Sequence, residues 1–198
     1  MKTLKTVLIL LVLVLVSRTS FAAVYDVDPD HSTVSFKIRH LFSNVDGRFG
    51  KFQGTVEYEP GKSEGWQASG TIDTTTIDTN SEKRDAHLKS PDFFDVEKYP
   101  TIEFKTVKIL EMNEVEGRAK GEGLITIHGI EKPIVIDAVL HGEGKDPWGN
   151  TRLGFTATTK LNRSDFGLTW NKTLETGNFL VGVEVTIVIE VEAIKRVS

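Results

Sequence analysis

The stretch VGVEVTIVIEVEA, Val181–Ala193, decides how the rest of the chain is read. Val181, Val183, Val185, Ile187, Ile189 and Val191 fall on one side of a two-residue period, and Glu184, Thr186, Glu190 and Glu192 fall on the other. A helix repeats every 3.6 residues and would spread these valines and isoleucines around its circumference, whereas a strand sends alternate side chains to opposite faces. The segment therefore predicts a β-strand with one dry face and one wet face, as in an antiparallel sheet packed on a core.

The same alternation recurs upstream. In TVSFKIR, Val34, Phe36 and Ile38 oppose Thr33, Ser35, Lys37 and Arg39. In QGTVEYE, Val56 and Tyr58 oppose Gln53, Thr55, Glu57 and Glu59, and in WQASGTID, Trp66, Ala68 and Ile72 oppose Gln67, Ser69, Thr71 and Asp73. About eight such segments can be marked, near 31–39, 52–59, 66–73, 101–109, 115–127, 134–143, 151–159 and 179–192. Turn-rich connectors separate several of them: PGKSEG (Pro60–Gly65), HGIEKP (His128–Pro133) and DPWGN (Asp146–Asn150). No repeat or low-complexity segment breaks the pattern, which indicates one all-β domain. Periodicity does not choose between a sandwich and a closed barrel. Gly121 and Gly123 inside AKGEGLITI point to a bulge or sharp bend.

Between the third and fourth segments the alternation gives way to a short helix. Thr79 is placed to cap it, with Glu82 three residues on as the return partner of a capping box, and Pro91 ends it beyond Lys89. Arg84, His87 and Leu88 then share a face, Asp85 lies within reach of Lys89, and PDFF presents Phe93 and Phe94 in a tight turn.

The first residues read as an address rather than as part of the fold. Lys2 and Lys5 precede the apolar run VLILLVLVLV (Val7–Val16), and Ser20 and Ala22 supply small residues at a cleavage site. The expectation is a cleaved signal peptide over residues 1–22 and an exported domain over 23–198. No apolar run after residue 22 approaches the roughly 20 residues that cross a bilayer as a helix. The chain has no cysteine, so it forms no disulfides and cannot carry a lipid on a cysteine at the cleavage site. Its net charge of −4 becomes more negative once Lys2, Lys5 and Arg18 are removed. With no basic cluster either, nucleic acid is excluded as the expected partner.

Catalytic and metal motifs are also missing. The five histidines are scattered, and no HExxH helix, EF-hand loop or GxSxG turn is present. No catalytic residue, metal ligand or cofactor is assigned. An acid–base pair of Asp85 and His87 is the one catalytic alternative the residues leave open. The phenylalanines either fill the interior or line an elongated apolar cavity.

Several segments, taken in order, resemble the YceI-like family of exported lipid-binding proteins. They are DPDHSTVSFKIRHL (Asp28–Leu41), VDGRFGKFQGTV (Val45–Val56), RDAHLKSPDFFDVEKYPTIEF (Arg84–Phe104), GEGLITIHGIEKPIVI (Gly121–Ile136), NRSDFGLTWN (Asn162–Asn171) and LVGVEVTIVIEVEA (Leu180–Ala193). Val183 departs from the pattern, since the family usually has an acid after that glycine.

The resemblance implies an eight-stranded antiparallel, lipocalin-like barrel, with the short helix between strands three and four. It implies a cavity holding a polyisoprenoid or other long-chain lipid, such as an isoprenoid quinone or its precursor, carried without catalysis. Members are mostly periplasmic and often dimeric, which implies the periplasm for this exported domain and leaves a homodimer open here. Arg84 and His87 are then expected at the lip, with Leu88, Phe93 and Phe94 turned into the cavity. Strand parity and size add Phe36, Ile38, Phe49 and Phe52 to the expected lining, and Ile72, Phe104, Phe155 and Trp170 from later segments. Asp85 is expected to tie the helix in place. The alternative is an enzyme acting on an apolar isoprenoid-like substrate through the Asp85/His87 pair.

Overall fold

An antiparallel sheet with one apolar face can dry that face by curling until its edges meet, which also removes the unpaired edges. This chain does so. The computed structural model describes residues 22–174, 177 and 179–197. Apart from Ala22, the expected signal peptide lies outside the described residues. Among the described residues eleven strands are formed: β1 Ala23–Val27, β2 Thr33–His40, β3 Ser43–Phe49, β4 Phe52–Tyr58, β5 Gln67–Asp73, β6 Ile77–Asp78, β7 Thr101–Asn113, β8 Arg118–Ile127, β9 Ile130–Lys145, β10 Thr151–Asn162 and β11 Val181–Lys195, with the helix α1 Glu82–Lys89 between β6 and β7.

The order β1-β4-β5-β7-β8-β9-β10-β11 closes when β1 pairs back onto β11, with Tyr25 opposite Lys195 and Val27 opposite Ala193. β2 continues β1 along the same partner, placing Val34 opposite Ile189 and Ile38 opposite Val185. β3 pairs with β2 and runs on into β4. The barrel thus has eight staves, two of them broken in the middle. The break in the first stave is held by Asp28 N donating to Glu192 O and by Ser32, whose hydroxyl donates to Glu192 O and accepts from Glu192 N. In the second, Gly50 N and Lys51 N both donate to Thr76 Oγ1.

The expectation of an eight-stranded antiparallel barrel holds, although the strand list needs amendment. β1, β3 and the two-residue β6 were not read from the sequence. In β3 the inward positions are Val45, Gly47 and Phe49, and the glycine interrupts the apolar alternation.

Bulges account for the irregularities. Opposite Gly123–Lys120 of β8, the partner strand β7 carries two extra residues, so Thr106 faces Gly123 while Lys108 faces Glu122, and Ile109 faces Gly121 while Glu111 faces Lys120. The two skipped residues, Val107 and Leu110, are turned out to solvent. The glycine pair therefore stands beside two bulges that lie on the strand opposite. A second irregularity sets Val181 against His40 but Val185 against Ile38, four residues of β11 against two of β2. It corrects the placement of Val183, which leaves the apolar face and is 45% exposed.

The apolar faces all point inward and form two clusters. One end of the barrel is plugged by Tyr25, Tyr58, Leu153 and Ala193, with Trp66 packed against them. The Tyr58 and Trp66 ring centroids are 4.7 Å apart. Tyr25 Oη donates to Glu143 Oε1 at 2.9 Å, and burial, aided by that carboxylate, pushes the phenol's pKa above its ordinary value. Outside this end, Arg152 gathers Asp28 at 2.7 Å, Asp146 at 2.8 Å and Glu192 at 2.5 Å, joining the break between β1 and β2 to the β9–β10 turn. Hydrogen bonding to Arg152 holds the Asp28 and Asp146 carboxyls below the usual carboxylate range. The second and larger cluster, built on Val34, Phe49, Ile102, Ile125, Leu161 and Phe166, surrounds the middle and the helix end of the barrel.

Candidate functional site

Between the plug and α1 the interior is not filled. It holds a cavity of about 700 Å³, within the roughly 300–1,000 Å³ range of sites for small organic ligands. The cause lies in side-chain size at inward positions. Ala119 and Gly121 of β8, Ala138 of β9 and Ala157 of β10 all line the space, and Gly54 and Ala68 do the same on β4 and β5. Ala138 sits opposite both Ala119 and Ala157, so three neighbouring strands contribute a methyl group where a barrel of this size would otherwise place leucine or phenylalanine. None of these small residues was expected in the lining from the sequence: Gly121 pointed to a bulge, and Ala68 only to the apolar face of its strand. The available signal was alanine or glycine recurring at inward parity on successive strands.

Larger side chains form the remaining wall. Phe36 lies against Gly47, where an added Cβ would meet its ring at 2.3 Å, and Phe104 lies against Gly123 at the same distance. Flat rings can occupy these positions only because the facing residues have no side chain. All of Phe36, Ile38, Phe49 and Phe52 border the cavity, as do Ile72, Phe104, Phe155 and Trp170. Parity alone left open which face was inner, and the structure assigns the apolar one.

At the helix end the wall becomes polar. Lys83, Arg84 and His87 of α1 border the cavity together with His40, Leu180 and Val181. Lys83 and Arg84 are exposed, so the cavity reaches the surface between α1 and the ends of β2 and β11. The helix itself starts later than the sequence suggested. Its N-cap is Ser81, whose side chain makes no capping bond. Thr79 is buried instead, and its N–H and hydroxyl both donate to Asp85 Oδ1, at 2.9 and 2.5 Å. Arg84 Nε donates to Thr79 Oγ1 at 2.7 Å and its Nη2 to Thr79 O at 2.6 Å. Thr79 thus serves as the anchor of α1 rather than its cap, and Asp85 is bound to it rather than to Lys89.

His87 does not meet Asp85. Its Nε2 lies 2.8 Å from Asp92 Oδ2, and its ring stands edge-on to Phe93 and Trp170, with centroids 5.0 and 4.8 Å away. Phe93 and Trp170 are themselves 5.3 Å apart. Phe94 packs edge-on against Phe49 at 6.0 Å, and Leu88 joins the main core. The PDFF turn and α1 therefore form a hydrophobic cap with a polar outer edge.

Arg163 was quoted within NRSDFGLTWN but not selected as a site residue. It is 5% exposed and borders the cavity. Its guanidinium donates from Nε to Gly182 O at 2.9 Å and from Nη1 to Leu168 O. Burial lowers its pKa, and among the described residues no carboxylate pairs with it. The chemistry of this group is to tie the bulge of β11 to the turn after β10. The histidines remain apart, and no three potential metal ligands gather among the described residues.

A closed antiparallel barrel, plugged at one end, capped by a helix at the other and hollow between, defines a class of protein that encloses apolar molecules. Residues 25–193 match the YceI-like domain. The chain belongs to the YceI-like family. A UPF0312 protein of Vibrio cholerae is 40% identical over 146 residues, spanning 73% of this chain and 76% of that one. The crystal structure of the Campylobacter jejuni YceI protein is 32% identical, covering 81% of this chain and 91% of that one with a TM-score of 0.69. A polyisoprenoid binding domain from Saccharophagus degradans, implicated in plant cell wall breakdown, shares the fold at 14% identity with a TM-score of 0.61, over 89% of this chain and all of that one.

Proposed function

We propose that this protein binds a long-chain polyisoprenoid, such as an isoprenoid quinone or its precursor, inside the barrel, and carries it in the periplasm without chemical change. The observation that carries the reading is the cavity of about 700 Å³ with an almost wholly aliphatic and aromatic wall. An isoprenoid chain offers no hydrogen bonds, so enclosure by such a wall is the main contact it can make. At about 0.8 kcal/mol per buried carbon, each isoprene unit gains roughly 4 kcal/mol gross, and the lost freedom of chain and protein offsets much of it. The tail would lie toward Tyr58 and Leu153, with the polar head near Arg84 and His87. The family membership and the polyisoprenoid binding of the Saccharophagus domain are consistent with this ligand class. Against the enzymatic alternative, its Asp85/His87 pair is not assembled: Asp85 is engaged by Thr79 and His87 faces Asp92.

Titration with a solubilised isoprenoid quinone tests the reading. Trp66 and Trp170 border the cavity, whereas Trp148 is 78% exposed at the β9–β10 turn. A bound quinone should quench part of the tryptophan emission saturably. Ligand at a hundredfold excess over Kd should add about 2.7 kcal/mol to stability, and it should be recovered unaltered. Linear, unsaturable quenching with no rise in Tm would count against the cavity as the site, and a modified product would favour an enzyme.

A further inference from the structure

The turn joining β2 to β3 is built from residues that a tight turn normally avoids. His40 pairs with Ser43, leaving Leu41 and Phe42 as the two loop residues. Two-residue hairpin turns favour Asn-Gly and similar pairs, because the first residue needs positive φ. Here that residue is Leu41, at φ +50°. A bulky side chain in this region is strained, and such strain persists where surrounding structure or function holds it. Phe42, at the tip, is 96% exposed. The turn is fastened to a second apolar segment, since Leu41 N donates to Leu180 O at 2.9 Å, and the neighbouring Phe179 is 63% exposed. Val183, turned outward by the bulge in β11, lies a few residues further along.

These exposed apolar groups stand beside the cavity mouth, because His40, Leu180 and Val181 border both. Several cations around them are without an ion-pair partner among the described residues. Lys37 is matched by Asp46 and Lys160 by Glu184. Among the described residues Arg39, Lys83, Arg84 and Lys172 form no ion pair, although Arg39 Nε donates to Leu41 O and so braces the turn. The chain as a whole is negative, and these cations stand at the mouth alongside the acids Glu82, Asp85 and Asp92 of α1 and its turn. Aromatic tips ringed by Lys and Arg suit the boundary between acyl chains and anionic head groups.

We infer that the β2–β3 turn, with Phe179, docks the barrel mouth-first on an anionic lipid bilayer. The inference rests on the reading of the cavity as an isoprenoid site and adds the surface from which the ligand is taken. A polyisoprenoid is held in membranes and is nearly absent from water, so a carrier whose mouth touches the bilayer can load without exposing the chain. Phe42 and Phe179 enter the interface, while Arg39, Lys83, Arg84 and Lys172 meet the head groups.

Co-sedimentation of the purified protein with vesicles of phosphatidylethanolamine and phosphatidylglycerol, free of isoprenoid, tests it. Binding should weaken about tenfold on Phe42→Ser and again on Phe179→Ser, as expected for removing a partly inserted aromatic ring. It should also fall when phosphatidylglycerol is replaced by phosphatidylcholine or when salt is raised. Both variants should keep the wild-type Tm and wild-type affinity for a detergent-solubilised isoprenoid. A wild-type protein that stays in the supernatant would overturn the inference. So would variants that sediment as well as wild type, or a soluble dimer dissolved by Phe42→Ser, which would assign the patch to a second copy of the chain. Because the vesicles carry no isoprenoid, failure of the cavity reading would show separately, as vesicle binding without ligand uptake.

Discussion

Phenylalanine at both Ala138 and Ala157 weakens isoprenoid binding at least ~100-fold, about 3 kcal/mol, while the barrel still folds. The two alanines face each other across the β9–β10 ladder, and both border the cavity. Inserting a ring normally strains a packed interior by 1–3 kcal/mol. Here the new rings enter space that is already empty, so the fold should tolerate them better than a packed core would. The ligand bears the effect. A chain threading from the mouth toward Tyr58 and Leu153 would stop at the blockade, and each isoprene unit left in water forfeits roughly 4 kcal/mol of gross burial. The quinone titration and a thermal melt check both halves. Unchanged affinity in a folded double variant would mean that the chain does not pass this level of the barrel.

The second large effect is expected at Gly123. Gly123→Val lowers stability by about 2–3 kcal/mol, measured by urea unfolding with the wild type alongside. An added Cβ would stand 2.3 Å from Phe104 Cε2 and 2.9 Å from the carbonyl oxygen of Lys105. The ring can swing away into the cavity, but the carbonyl belongs to the β7–β8 ladder beside the bulge and cannot move without disturbing it. Displacing Phe104 inward also consumes cavity volume, so ligand affinity falls together with stability. Gly121, whose nearest neighbours to an added Cβ lie at 3.6 and 3.7 Å, should accept alanine with a far smaller effect. Equal behaviour of Gly123→Val and Gly121→Ala would contradict this account of the wall.

The contrast between these two glycines also shows how far the sequence could be read. Both stood out because glycine interrupts a strand pattern, and both were associated with irregular geometry. The sequence could not show that the bulges lie on β7, because a bulge is a relation between two strands. The same limit applies to Val183. Its parity with Val181 and Val185 is unbroken in the sequence, and only the shifted pairing against β2 turns it outward. In contrast, the inward sets Val34, Phe36 and Ile38, or Val185, Ile187 and Ile189, follow directly from alternation, since one face of each strand is dry.

At the mouth, local sequence suggested a conventional capping box. Tertiary burial of Thr79 replaced it with bonds to Asp85 and Arg84. The hollow interior was the least legible feature. Aromatic side chains suggested a lining, but the space arises from what is missing at Ala119, Ala138 and Ala157. A missing volume is recognised only once neighbouring strands are set in register.

The central claim is that the barrel interior encloses a long isoprenoid chain. Native mass spectrometry of the protein purified gently from its own cells, followed by solvent extraction of whatever it carries, is the measurement to make. A discrete added mass should appear that extracts as an intact isoprenoid and is missing from the Ala138→Phe/Ala157→Phe variant. An unliganded mass that stays unchanged after incubation with isoprenoid lipids would contradict it.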